Sequence, residues 1–567
     1  MSIQNDPKSD KYLSEIRVRE EEDVVRILAE ERYGLPYVDL SVMPIENEAL
    51  RYISEEDARS WHIAPFRIVG THLHIAVKSP DKIEVQGFKK AMEEKGLVCH
   101  FYMASTASLE KVWERYKEIS FATTTRVGGL DIVGNVLVEI GGQINVLADV
   151  KHVLDEVVHG KSIHQTSHLL DIILGSAIKL GISDIHFEPE EEMVHVRFRV
   201  DGVLQNITEL SHEMHKLINS RLKLVSGLKL TTTASAQDGR FSIYVEDVEI
   251  SVRVSSVPGT YGEGIVMRLL DPRSIQVNLE DMGINDDVFQ VMMREIKKPN
   301  GMILLTGPTG SGKTTTLYAF LRKIYSTEIK IITIEDPIEY HLPGITQTQV
   351  ENEKGYGFLE GLRAALRQDP DVIMVGEIRD SETAKIAVES SLTGHLVFST
   401  LHTNSAEGVI PRLIDLDVNP KTLVSALTLS VAQRLVRRLC KDCKELDANP
   451  TKESIQLLRT IIKNAVENGK NMAKYEITED MHMEIYKPVG CLKCNMTGYK
   501  GRIGLFEAIE TNEEIEKIMP TNPSEREIKK VSAKQGLLDM REDGVVKILK
   551  GITSLDEVAS VVDLYEN

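Results

Sequence analysis

Gly307-Pro308-Thr309-Gly310-Ser311-Gly312-Lys313-Thr314 matches G-x-x-x-x-G-K-[ST] at every fixed position. The short apolar run Met302-Ile-Leu-Leu305 leads in as a strand, and Thr315 to Tyr325 leads out as a helix, the context in which the pattern has meaning. The glycines allow a tight turn in which successive backbone N–H groups point into one hollow. The helix beyond adds the positive end of its dipole, which suits a polyphosphate. Lys313 then reaches the β- and γ-phosphates, and the Thr314 hydroxyl holds Mg²⁺. A dinucleotide fingerprint starting at Gly310 would need glycine where Thr315 stands. A plain glycine-rich turn would leave the lysine, the threonine and the flanking elements unexplained. Residues 307–315 are therefore read as the binding loop for a nucleoside triphosphate.

The loop sits in a chain of 567 residues, too long for one core, so about three or four domains are expected. Hydrophobic content of 42% with 27% charged residues is that of soluble globular protein. Net charge is 67 − 86 = −19, which repels nucleic acid and anionic lipid at long range and lowers the expectation of direct DNA binding. No apolar run approaches the roughly 20 residues that span a bilayer, and Met1 to Arg19 is too polar for a signal peptide. Four of the five cysteines form two C-x-x-C pairs, which points to metal in a reducing, cytosolic compartment rather than to disulfides.

Around the loop, four short Val/Ile/Leu-rich runs alternate with helical patterns: Met302–Leu305, Ile331–Ile334, Val372–Val375 and Leu396–Phe398. That alternation predicts an α/β domain over about 279–435 with a buried, mostly parallel sheet. Ligands in such sheets sit at the carboxyl ends of strands. Glu335, Asp336 and Glu339 follow the second run, Gly376, Glu377, Arg379 and Asp380 the third, and Ser399 to Asn404, including His402, the fourth. Phosphoryl transfer to water needs a metal, a carboxylate to position or deprotonate the water, and positive charge on the transition state. Glu377 suits the Walker B role of holding Mg²⁺ through water, Glu339 or Glu335 is placed to polarise the attacking water, and His402 to sense the γ-phosphate. His395 precedes its strand and is expected roughly 20 Å away, at the far end. A lone carboxylate or imidazole at a strand end is usually only solvated; three such ends converging on one phosphate loop make the functional case.

Upstream, residues 1–120 read as a small mixed domain, with helical patterns near Glu20–Tyr33 and Ser54–Trp61. Strand-like runs follow at Phe66-Arg-Ile-Val and His72-Leu-His-Ile-Ala-Val77, turning near Gly70. His72 and His74 alternate with apolar residues and read as a polar strand face rather than a metal site. Residues 121–165 carry Gly128-Gly129, Gly134 and Gly141-Gly142 and read as a linker, with a strand pair as its possible local structure. Residues 166–275 form a second domain: a core-facing helix through Leu169–Leu180, then the alternating strand Val194–Val200, a hairpin at Asp201-Gly202, and a second strand pair turning at Glu246-Asp247. Arg240, Arg253 and their neighbours gather on this sheet just before the nucleotide domain, so a phosphate-facing role is weighed against simple solvation.

Cys440-x-x-Cys443 and Cys491-x-x-Cys494 supply four thiolates in two knuckles, the set a closed, structural tetrahedral Zn²⁺ site requires. They define a subdomain over 436–505, followed by a helical segment over 506–567.

From Ser183-Asp-Ile-His-Phe-Glu-Pro189 to Phe506-Glu507 the chain resembles the secretion ATPases of type II secretion and type IV pilus assembly, the GspE/PilB-like family. The matching motifs are the phosphate loop, Thr333-Ile-Glu-Asp-Pro-Ile-Glu339, Asp369-Pro-Asp-Val-Ile-Met-Val-Gly-Glu-Ile-Arg-Asp380, Gly394-His-Leu-Val-Phe-Ser-Thr-Leu-His402, Gln433-Arg-Leu-Val-Arg-Arg-Leu-Cys440 and Cys491-x-x-Cys494-x-x-Thr-Gly-Tyr-x-Gly-Arg502. The resemblance implies a RecA-like core preceded by a PAS-like α+β sheet domain, with a GspE/MshE-like domain at the N-terminus. It implies a cytoplasmic homo-hexamer, ATP held between sheet domain and core, Glu339 as catalytic carboxylate, Glu377 as the Walker B residue, and Arg240 and Arg253, with Arg268, on phosphate. The partners it implies are an inner-membrane platform protein and a cytoplasmic adaptor, through which ATP hydrolysis drives pilin or pseudopilin assembly. Lys229–Gln237 departs from the charged approach usual in the family, and no Arg-Leu-Gly motif for cyclic di-GMP precedes Gly34. A conjugation-type or DNA-handling ATPase shares the core motifs and is the alternative.

Overall fold

The computed structural model describes residues 21–40, 43, 45–50, 52–69, 71–94, 97–118, 129–131, 144–159, 165–245, 248–275 and 277–565. The N-terminal domain is a three-stranded sheet of β1 (Ile63–Val69), β2 (His72–Val77) and β3 (Val98–Met103), β2 pairing antiparallel with β1 and parallel with β3. Its buried face carries Leu73, Ile75 and Val77, at the period of two that a half-buried strand requires. On the other face His72 Nδ1 lies 2.8 Å from His100 Nε2, and His74 Nδ1 lies 2.9 Å from the Tyr102 hydroxyl. Gly70, where the turn was expected, lies outside the described residues.

The second domain is a seven-stranded sheet in the order β4-β8-β9-β10-β5-β6-β7: β4 (Gly129–Asp131), β5 (Asp184–Pro189), β6 (Val194–Val200), β7 (Val203–Leu210), β8 (Gln237–Val245), β9 (Val248–Gly259) and β10 (Gly262–Leu270). Its core contains residues of three helices, α1 (Leu147–His159), α2 (Gln165–Lys179) and α3 (His212–Val225), with Val194, Val196 and Phe198 buried as their alternation predicts. Helix α1 corrects the linker expected over 121–165. Leu147, Val150 and Leu154 stand on one helical face and are buried in the same core, a pattern the preceding glycines obscured. Of the strand pair considered there, β4 pairs instead with β8; much of the remainder, and the turn at 246–247, lie outside the described residues.

The third sheet runs β13-β12-β14-β15-β11-β16-β19, from β11 (Gly301–Thr306), β12 (Ile331–Glu335), β13 (Thr346–Gln349), β14 (Val372–Val375), β15 (Leu396–Leu401), β16 (Leu427–Leu439) and β19 (Tyr499–Glu510), the short β17 (Glu445–Leu446) and β18 (Tyr486–Lys487) pairing separately. Every pairing is parallel except β16 with β19. The central strands are buried from end to end, as strands covered on both faces must be. The sheet thus continues to Glu510, past the boundary expected at 435. The tetracysteine module, expected over 436–505, is an insertion between its last two strands.

Candidate active site

The phosphate loop leaves β11 and enters α4 (Lys313–Ile324), as its sequence context requires. Gly307 takes φ +143°, and a Cβ there would lie 2.5 Å from the Gln433 carbonyl oxygen, so no side chain fits. Gln433 also braces the helix, accepting a hydrogen bond from the Thr316 hydroxyl at 2.8 Å. The Lys313 ammonium donates to the carbonyls of Gly307 (2.7 Å) and Pro308 (3.1 Å). Burial pushes its pKa below the usual lysine value, Glu377 opposing and Arg434 adding to that effect.

Beside the loop lies a cavity of about 530 Å³ whose wall includes Thr314, Glu339, Glu377, His402 and Arg268. The three strand exits picked out from the sequence therefore meet at one place. His402 Nε2 is 2.8 Å from a Glu377 oxygen, and Arg379 pairs with the other. Burial works to raise the Glu377 pKa, but hydrogen bonds from Arg379 and His402 outweigh it and hold the carboxyl below the ordinary glutamate value. Glu377 is thus kept anionic, as a ligand for a divalent cation must be. Glu335 is different: it is buried and hydrogen-bonded to Tyr318, Thr333 and Gln347. Burial raises its pKa. With its oxygens engaged in the core, Glu335 braces α4, and Glu339 is left as the more available carboxylate of that strand exit.

The sheet domain presents a row of charge that sequence alone did not reveal. Arg240 on β8, Arg253 on β9, Arg268 on β10, Asp184 on β5 and Arg199 on β6 are direct cross-strand partners in successive pairings. Like charges directly opposite destabilise a sheet, so three adjacent arginines need a counter-charge. Asp184 supplies part of it, 2.8 Å from Arg268 Nε and 3.3 Å from Arg199 Nε. Arg253 crosses to the nucleotide domain, 3.2 Å from Glu339 and 3.0 Å from the Ile338 carbonyl. Arg268 lines the phosphate cavity, whereas Arg240 and Arg253 do not. A second cavity of about 460 Å³, walled by Ile178, Ile182, Val277, Met282 and Leu435, opens between the two domains beside Thr315. The residues that sequence reasoning left without a role are Asp184, Arg199, Arg379, Gln433 and Arg502, the last lining both cavities. All stand inside the motifs or strands quoted above, but only the fold brings Arg379, Gln433 and Arg502 to the loop and sets Asp184 and Arg199 in the arginine row.

His395 lies at the start of β15, hydrogen-bonded to the Ser390 carbonyl and away from the loop, as expected. The four cysteines form the one such metal-ligating group among the described residues, all Sγ atoms lying within 4.8 Å of one another. Sγ pairs stand at 3.9, 3.7 and 3.7 Å, too far for a disulfide. A Zn–S bond of about 2.3 Å gives a tetrahedron edge of about 3.8 Å, so the thiols fit zinc.

A parallel sheet carrying this loop and these carboxylates at its strand ends defines a P-loop ATPase. Residues 161–560 match the family described as type II/IV secretion system protein, and residues 33–118 match the MshEN domain. The chain belongs to the type II/IV secretion system protein family, among its secretion and pilus-assembly ATPases. It is 44% identical over 393 residues to the type II secretion system protein E of Aeromonas hydrophila, covering 69% of this chain and 75% of that protein. It is 36% identical over 535 residues to the type IV pilus assembly ATPase PilB of Pseudomonas aeruginosa, covering 94% and 90%. The ATPase DotB of Yersinia pseudotuberculosis shares the fold, with a TM-score of 0.51 at 20% identity over 72% of this chain and 95% of that one.

Proposed function

We propose that this chain hydrolyses ATP between its sheet domain and its nucleotide domain, and that the resulting domain motion drives assembly of a pilin or pseudopilin filament. The observation that carries this is the arginine row meeting the catalytic edge, with Arg253 on Glu339 and Arg268 in the cavity wall. Residues 307–315 hold the phosphates, Lys313 exchanging its carbonyl partners for the β- and γ-oxygens. The apolar cavity beside Thr315 takes the base. Thr314 and, through water, Glu377 are the residues that would hold Mg²⁺, which when bound would supply positive charge to the transferring phosphate. Glu339 orients and deprotonates the attacking water; Arg268 in the cavity wall and Arg253 beside Glu339 place positive charge on the transferring group, with Arg240 next in the row behind them; and His402 senses the γ-phosphate through Glu377.

Cys440, Cys443, Cys491 and Cys494 would hold Zn²⁺, which would stabilise the inserted module. The working unit is a homo-hexamer at the cytoplasmic face of the inner membrane, acting through a membrane platform protein and a cytoplasmic adaptor; among the described residues no helix is long and apolar enough to cross a membrane. Relatives named for secretion and for pilus assembly do not favour the DNA-handling alternative. Phosphate release by the purified chain with Mg²⁺ and ATP tests the enzymatic step. Loss of turnover in Lys313→Ala with the fold retained is expected; undiminished turnover would refute it.

A further inference from the structure

The second cysteine knuckle reaches out of its own module to the sheet domain. Asn495, the residue after Cys494, accepts a hydrogen bond through Oδ1 from the Leu147 backbone N–H at 2.8 Å. Six residues on, the Gly501 N–H donates to Asp201 Oδ2, also at 2.8 Å. Leu147 opens α1 and is buried in the sheet-domain core; Asp201 is the tip of the β6–β7 hairpin. Two contacts more than 50 residues apart on one domain thus end on one short stretch of the other. That stretch includes the start of β19, which pairs along β16, the strand whose Gln433 closes over Gly307.

The backbone at these contacts is unusual. Asn495 and Met496 take φ +53° and +61°, and Asp201 takes φ +48°. Two consecutive non-glycine residues in the left-handed region are strained, and Met has no side-chain hydrogen bond to offset it. Closing a metal knuckle does not by itself require the Asn495 side chain to leave the thiols for Leu147. The left-handed pair caps the short turn Leu492–Cys494, with the Asn495 N–H on the Leu492 carbonyl and the Met496 N–H on the Cys491 carbonyl, and the same turn carries the Asn495 side chain to Leu147.

We propose that the second knuckle and the first residues of β19 together form a strap: through Asn495–Leu147 and Asp201–Gly501 they hold the sheet domain at the distance where Arg253 reaches Glu339. Asn495 and Asp201 are then positioning residues for ATP hydrolysis, and the module couples the phosphate loop to the arginine row in addition to carrying its metal. The inference rests on the arginine-row reading above.

The test uses the full-length, zinc-loaded chain. Asp201→Gly and Asn495→Gly delete the acceptors at positions where glycine relieves the backbone, and Asp201→Asn retains an acceptor oxygen. Expected are one zinc per chain in all three and kcat lowered roughly fivefold by each glycine variant, the yield of one hydrogen bond; KM for ATP should stay within about twofold of wild type in Asn495→Gly, whose side chain lines neither cavity. Asp201→Asn should stay near wild type, and amide exchange at Leu147 or Gly501 should accelerate only where its acceptor is gone. In an Arg253→Ala chain the glycine variants should lower kcat no further. Wild-type kcat in the Asp201→Gly/Asn495→Gly chain with zinc retained overturns the proposal, as does an undiminished loss in the Arg253→Ala background. If Asn495→Gly releases zinc, Asp201→Gly, on the sheet domain rather than on the knuckle, decides alone provided that its own zinc is retained. Unchanged kcat in Arg253→Ala itself would instead refute the arginine reading.

Discussion

Arg253 and Glu339, 86 residues apart, meet at 3.2 Å across the boundary between the sheet domain and the nucleotide domain. Both side chains keep about a third of their surface, 29% and 33%, and such exposed pairs contribute only about 0–1 kcal/mol to stability. The pair is better understood through its position. It puts a guanidinium from one domain beside a carboxylate that edges the phosphate cavity of the other, the position in which the proposed mechanism uses both.

Replacing Arg253 should therefore separate catalysis from folding. Arg253→Ala is expected to lower kcat by about 10³-fold, as loss of a transition-state arginine does, while the unfolding free energy changes by less than about 1 kcal/mol. Steady-state phosphate release and urea denaturation of the same preparation check both halves. Arg253→Lys should recover little, because a point charge does not reproduce a planar fork.

Glu377 tests the metal-holding role. Glu377→Gln keeps the shape and the His402 contact but removes the charge that Arg379 and His402 stabilise. ATP should still bind, with turnover lowered at least about 100-fold and little recovered by excess Mg²⁺. Equilibrium binding of a fluorescent ATP analogue beside a hydrolysis assay distinguishes this from simple loss of the site.

Glu507 gives a pH dependence. It is buried on β19, accepting N–H bonds from Ala406 (2.7 Å) and Met540 (3.3 Å). Burial, with Glu407 and Asp539 nearby, pushes its pKa up from 4.5 to about 8 against those two bonds. A carboxyl whose folded pKa is raised contributes stability that is complete below about 4.5 and is lost as pH rises through about 8. Melting temperatures of wild type and Glu507→Gln between pH 5 and 9 should diverge in favour of the Gln chain as pH rises. Parallel curves would exclude the shift.

The thiol tetrahedron predicts one zinc per chain. A strong chelator or any single Cys→Ser change at 440, 443, 491 or 494 should release the metal and lower the melting temperature, since metal binding and folding of such modules are coupled. Elemental analysis with calorimetry measures both. Cys99, in the N-terminal domain, should be replaceable by Ser without loss of zinc.

Much of the site was legible because its signals are local. The phosphate loop is one contiguous pattern, and strand exits follow from four short apolar runs; the cysteine knuckles announce themselves by spacing. What stayed hidden was long-range. The row Arg240–Arg253–Arg268–Asp184–Arg199 exists only through the register of five strands, which no single stretch encodes. Helix α1 was masked by glycines upstream of Leu147. Strand β19 lies beyond a 47-residue gap between cysteine pairs, so its return to the nucleotide sheet could not be read from pattern. Glu335 and Glu339 looked equivalent by position until burial and hydrogen bonding separated them.

The most direct test of water activation at this domain boundary is single-turnover hydrolysis of pre-bound ATP by the assembled Glu339→Gln chain. The structure predicts ATP held at near wild-type affinity and cleaved at least about 100-fold more slowly, the scale of a lost general base. Cleavage at the wild-type rate with ATP bound to the same loop would contradict it.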